Sequence, residues 1–278
     1  LALFGGGDFR LDQLAGFSGI ENVTLENSSG AAATVTFGNV PVTVTSTGTT
    51  SSIFDFTRSS APITLSMNAG GTVYLGSGSA TIHGIKDAAF YAVSVGSPSA
   101  WNAGNNTIDA TANSTLYLRF STPGSYDLTV NTLTNVDQIV SDSVNQTFKI
   151  DNTIASAIPT FNTNSGRNNV LTTSDATLDL THTTISGYTI TSTNATGTTF
   201  TVNNAATALL IAGGSGTDTI VASGFDFTQS QIEQIFATQS IEAIEDGNGT
   251  HTAPPPSPNV FHLTTENDTV IGTGDADT

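Results

Sequence analysis

Ile63-Thr64-Leu65-Ser66-Met67-Asn68-Ala69-Gly70-Gly71-Thr72-Val73-Tyr74-Leu75-Gly76-Ser77-Gly78-Ser79-Ala80-Thr81-Ile82 holds three short runs in which apolar and polar residues alternate. Alternation with a period of two sends successive side chains to opposite faces of a strand. The Gly, Ser and Asn residues between the runs supply turns. The same texture extends in both directions, through Thr34-Val35-Thr36-Phe37, Val42-Thr43-Val44-Thr45 and Ile53-Phe54-Asp55-Phe56 on one side. On the other lie Ala92-Val93-Ser94-Val95, Thr107-Ile108-Asp109-Ala110, Thr115 to Phe120, Tyr126 to Val130 and Thr147-Phe148-Lys149-Ile150. Run starts advance by about eight to eleven residues, too short for βαβ units. The spacing predicts an all-β fold, a parallel β-helix or β-solenoid of short rungs, with antiparallel β-sandwich domains as the alternative.

Helical periodicity is confined to Gln229 to Phe236, where Thr228 and Gln231 form a capping box and Ile232, Ile235 and Phe236 share a face. One short helix is therefore expected, lying against the sheet stack. Residues 1–152 and 176–250 read as two β-solenoid units joined by an irregular connector, 153–175, around Pro159. A stiff proline-rich linker, 251–259, follows. The chain opens on Leu1 and stops inside a repeat, so it is expected to be a piece of a larger protein.

Among 278 residues only 10% are charged, and 23 acidic against 6 basic residues leave a net charge of −17. No Lys/Arg patch can neutralise phosphates, which excludes nucleic acid as a partner, whereas divalent cations suit the balance. There is no cysteine, hence no disulfide framework or thiolate metal site. No apolar run approaches a membrane span. His83, His182, His251 and His262 stand in separate segments without zinc-site spacing. The Gly-rich loops at Gly5 and Gly213 lack the lysine and following helix of a phosphate cradle, and no G-x-S-x-G elbow occurs.

An apolar-acidic-polar-apolar tetrad occurs three times, roughly a hundred residues apart, as Ile20-Glu21-Asn22-Val23, Val136-Asp137-Gln138-Ile139 and, with Ala for the polar residue, Ile241-Glu242-Ala243-Ile244. These are expected to hold the same structural position in long units. Thr-x-Thr runs such as Thr43-Val44-Thr45 raise the idea of an ice-binding or carbohydrate-binding face, but the pair does not recur cleanly along the sequence.

Gly213-Gly214-Ser215-Gly216-Thr217-Asp218-Thr219-Ile220 and, further on, Asn267-Asp268-Thr269-Val270 with Gly272-Thr273-Gly274-Asp275-Ala276-Asp277-Thr278 carry a resemblance. With the proline linker between them, they resemble the glycine- and aspartate-rich nonapeptides of RTX (repeats-in-toxin) proteins. That family implies a bacterial, extracellular or cell-surface protein exported by type I secretion, S-layer-like or adhesin-like, structural and calcium-dependent. It implies Ca2+ as cofactor, held by Asp268, Asp275 and Asp277 with Gly272 and Gly274, and by Asp218 with Gly214 and Gly216. Asp268 and Asp277 stand nine residues apart, but Asp218 has Leu209 and Phe227 at the equivalent distances, so a hydrogen-bonded tight turn is the plain alternative there. Partners are expected to be the rest of the same polypeptide, like subunits or cell-surface polysaccharide. A calcium-dependent polysaccharide lyase or epimerase is the alternative class, needing a cation, a base and an acid converging in one groove.

Overall fold

The computed structural model describes residues 1–14, 19–28, 30–103, 105–164 and 168–254. Its strands form four sheets of seven, nine, five and five strands. Every pairing among them is parallel except the last, between Ala243–Asp246 and Gly249–Thr252. Pairing of this kind rules out the antiparallel sandwich and makes the chain a β-solenoid. Partners in neighbouring rungs are separated by 17 residues at the shortest, Ile63 to Ala80, and 26 at the longest, Gly7 to Ala33. A rung therefore contains two or three of the short runs, which is why the runs advance at about half its length.

Each sheet buries the inward half of its alternating pattern. In the second sheet Val35, Phe54, Val73, Val93, Leu118, Ile139 and Phe161 lie in register in consecutive strands, all essentially inaccessible to solvent. Each such side chain contributes about 1.5–3 kcal/mol relative to exposure.

The first sheet, from Ala2–Phe4 to Thr132–Thr134, and the second, from Gly7–Arg10 to Thr184–Ile185, alternate along the chain. The third begins at Gly124–Asp127 and the fourth at Thr177–Asp179. Both openings are prepared by a short helix. Trp101, in helix Pro98–Asn102, donates from Nε1 to the Asp127 carbonyl at 3.0 Å. The Asn102 amide accepts from Asp127 N and donates to Ser125 O, both at 2.7 Å. Asn152, opening helix Asn152–Ala157, does the same for the fourth sheet, accepting from Asp179 N at 2.7 Å and donating to Thr177 O at 3.1 Å. A planar side-chain amide thus replaces the missing strand at each new edge.

Where the third sheet is added, large rings fill the interior. Phe120 meets Trp101, Tyr126 and Phe148 with ring centroids 5.2, 4.7 and 4.9 Å apart. Tyr126 stacks on Phe148 in the next rung at 5.4 Å. Burial pushes the Tyr126 phenol up to about 12, against the pull of its hydrogen bonds to Gln146 and Thr122.

Residues 153–175 differ from the expected irregular connector. They carry most of a helix and the strands Thr160–Thr163 and Asn169–Thr173, and the second sheet runs straight through them. The expected helix spans Gln229–Thr238 with its capping box formed. It is one of four α-helices among the described residues, the others being Pro98–Asn102, Asn152–Ala157 and Ala205–Ala208. Those three are too short to show helical periodicity, which is why the sequence reading missed them. No helix among the described residues is long and apolar enough to cross a membrane.

Candidate functional site

Asp218 sits immediately before the strand Thr219–Ala222, at a point where three rungs approach one another. It is inaccessible to solvent. Its Oδ1 accepts from Thr198 N at 2.7 Å, and its own amide donates to Glu242 Oε2 at 2.6 Å. Oδ2 has no well-formed hydrogen bond. Burial raises the carboxyl above its ordinary value and the Glu242 charge adds to this, while the Thr198 and Gly214 amides pull the other way.

The surrounding glycines answer to backbone packing. A Cβ on Gly214 would stand 2.3 Å from Ser192 O, and one on Gly216 would stand 1.9 Å from Gly197 N. Calcium seeks six to eight oxygens. Here one buried carboxylate oxygen is left over and Glu242 is engaged by an amide, so the acidic side chains at Asp218 supply far fewer oxygens than that. More widely, no group of three or more His, Asp or Glu among the described residues lies close enough to share a metal ion. Asp268, Asp275, Asp277, Gly272 and Gly274 lie outside the described residues.

The three tetrads enter strands of the first, second and fourth sheets, at Asn22–Glu26, Gln138–Ser141 and Ala243–Asp246. In the last two the acid serves the rung before. Asp137 Oδ2 accepts from Leu116 N at 2.7 Å, as Glu242 accepts from Asp218 N.

Among the described residues four basic side chains, Arg10, Arg58, Arg119 and Lys149, pair with acids, and all but Arg10 reach an acid in another rung. Arg10 and Arg58 both meet Asp12 at 2.9 Å, Arg119 meets Asp142 at 2.8 Å and Lys149 meets Asp127 at 3.1 Å. Asp127 is thus paired with Lys149 in the third sheet, while Asp87, beside Lys86, accepts from Asn113. His83 contacts Asp109 at 2.7 Å, His251 contacts Asp246 at 3.2 Å and His182 contacts Thr181 at 3.0 Å. His262 lies outside the described residues. A cleft of about 450 Å³ at Glu21, Pro41 and Pro62 holds one carboxylate, and a groove of about 500 Å³ holds Asp179 and His182. A third cleft, about 460 Å³ between the helix Gln229–Thr238 and the hairpin, holds Glu233 and His251. None of the three brings a Lys or Arg together with two carboxylates.

One pattern hidden in the sequence emerges from the register. Thr43, Thr64, Thr81, Thr107 and Thr132 are direct partners in consecutive strands of the first sheet. The neighbouring outward column reads Thr24, Thr45, Ser66, His83, Asp109 and Thr134, so the second member of each pair varies. Comparison with protein-family models, curated proteins and solved structures finds no match to this chain.

Proposed function

We propose that this chain is a non-catalytic structural module of a large exported, calcium-binding bacterial cell-surface protein, S-layer-like or adhesin-like. The observation that supports this reading best is the use made of the ionisable groups. Arg58–Asp12, Arg119–Asp142 and Lys149–Asp127 join residues 46, 23 and 22 positions apart, clamping rungs two apart in the first case and successive rungs in the others, instead of converging on a cleft. The module ends in a helix and an antiparallel hairpin, after which come the proline linker and the nonapeptide segment. Calcium belongs, in this reading, to Asp268, Asp275 and Asp277 with Gly272 and Gly274, where the nine-residue period repeats.

Two measurements test it. Incubation with acidic polysaccharides yields no chain cleavage and no uronate epimerisation; turnover that disappears on replacing one Lys or Arg would favour the lyase or epimerase class instead. Hydrogen exchange over 260–278 slows when calcium is added and speeds up with chelator. Equal exchange in both, or equal protection by magnesium, with its stricter octahedral demand, removes the calcium assignment.

A further inference from the structure

We infer that the outer face of the second sheet carries a saccharide-binding platform, built on Tyr74, Phe90 and Tyr117, for the pyranose rings of a neutral polysaccharide. The inference concerns a binding surface and is independent of the calcium reading. In strands Gly71–Leu75, Phe90–Val95 and Thr115–Phe120 the residues Val73, Val93 and Leu118 point into the core, so Tyr74, Phe90 and Tyr117 point outward. Tyr91, Tyr126 and Tyr188 are buried, whereas Tyr74 is 40% and Phe90 51% exposed. Two large side chains left in water, with the half-buried Tyr117 beside them within three adjacent strands, mark a contact surface.

The arrangement of the rings selects the ligand. Tyr74 neighbours Ser94, which neighbours Arg119; Thr72 neighbours Ala92, which neighbours Tyr117. The two tyrosines thus stand two rungs apart, about 10 Å along the stack, with only the small Ala92 and Ser94 between them. Phe90 meets Tyr117 edge to face at 5.1 Å, which steadies both rings. Gly70, one residue before the register pair Gly71–Tyr91, lies so close to the Phe90 backbone that a Cβ there would stand 2.4 Å from the Phe90 carbonyl oxygen. At the border Arg119 is held by a two-pronged pair with Asp142 at 2.8 and 2.9 Å, and Asn164 donates to the same carboxylate at 2.8 Å.

A pyranose ring has an apolar C–H face and a rim of hydroxyls. Aromatic rings around a small-residue floor take the face, and a fixed, planar polar group with spare N–H donors takes the rim. An apolar protein anchor would instead shut the charged Arg119–Asp142 pair and the Ser94 hydroxyl away from water, at a desolvation cost. The net charge of −17 repels polyanions, and the Arg119 charge is already neutralised by Asp142, so the fitting polymer is neutral.

The test is affinity electrophoresis of the whole chain through gels containing a mixed-linkage β-glucan, an amylose-type α-glucan or alginate. A neutral glucan retards the wild type, and Tyr74→Ala and Tyr117→Ala each weaken that association roughly tenfold. Thr189→Ala, on the third sheet, leaves it unchanged, and circular dichroism confirms that each variant is folded. Tyr74→Ala carries the test should Tyr117→Ala misfold. The proposal is overturned if neither neutral glucan retards the wild type, if alginate alone does, or if the tyrosine variants migrate like the wild type. Self-association of the wild type that is lost in Tyr74→Ala, seen by sedimentation without glucan, would assign the patch to a second copy and overturn it as well.

Discussion

Asp218 illustrates how a residue type that signals a metal ligand can be consumed by the fold. Its carboxyl is shut in, with one oxygen on the Thr198 amide and the other without a well-formed partner. Burial first and Glu242 second raise its titration. A carboxyl raised in the folded state binds its proton more tightly there than when unfolded. Its share of stability is therefore present in acid and lost as pH rises through the folded value. The side-chain carboxyl resonance of Asp218 is expected to titrate above the ordinary Asp midpoint of about 3.9, and Glu242→Gln lowers that midpoint by removing the like charge. A midpoint at or below the ordinary value, or one unmoved by Glu242→Gln, contradicts the account. Asn102 and Asn152 make the complementary point, since each amide stands in for a strand. Asn102→Leu and Asn152→Leu leave an N–H and a C=O at a sheet edge to water and should each cost about 1 kcal/mol in urea unfolding. An equal loss in Asn113→Leu, whose amide reaches only an Asp87 oxygen at 3.4 Å, would show that the edge plays no special part.

At the level of elements, the strands were legible because inward positions alternate: the runs at Thr34, Val42, Ile63, Thr72 and Ala80 all fall on or within one residue of strand starts. The helix at Gln229 was legible because it is long enough to show both a cap and a face. What stayed hidden is which runs stack. Rungs of 17 to 26 residues carry no fixed period, so the column Thr43, Thr64, Thr81, Thr107, Thr132 appears in sequence as scattered Thr-x-Thr pairs. For the same reason Tyr74, Phe90 and Tyr117 read as unrelated aromatics in separate runs. The connector at 153–175 was misjudged because Pro159 and the polar residues around it lie between a helix and a strand, where a proline without an amide to donate is tolerated. Of the anticipated metal ligands only Asp218, Gly214 and Gly216 fall among the described residues. Their motif was visible while its packing was not, because adjacent rungs bring Ser192 and Gly197 against the glycines.

A solenoid as a whole is close to one-dimensional, with each rung touching only its neighbours, so its cooperativity depends on the strength of each rung-to-rung interface. The interface that matters most lies where the third sheet is added, since there the first and second sheets, continuous from the N-terminal end, meet the sheet that carries the stack on as far as Ile211–Gly213. Phe148 stands at its centre, touching Phe120 at 4.9 Å, Tyr126 at 5.4 Å and Tyr188 at 6.0 Å. Phe148→Ala removes the ring common to three rungs and should cost about 3–5 kcal/mol. Leu65, equally inaccessible, packs within the first sheet far from that junction. Leu65→Ala should cost about 2–5 kcal/mol. The two costs overlap, but their consequences differ. Weakening the junction uncouples the N-terminal rungs from the C-terminal ones, so the calorimetric melt of Phe148→Ala separates into two transitions while that of Leu65→Ala shifts as one. A single shifted transition in Phe148→Ala would mean that the second sheet alone, which crosses the junction without a break, carries enough coupling to hold the rungs together.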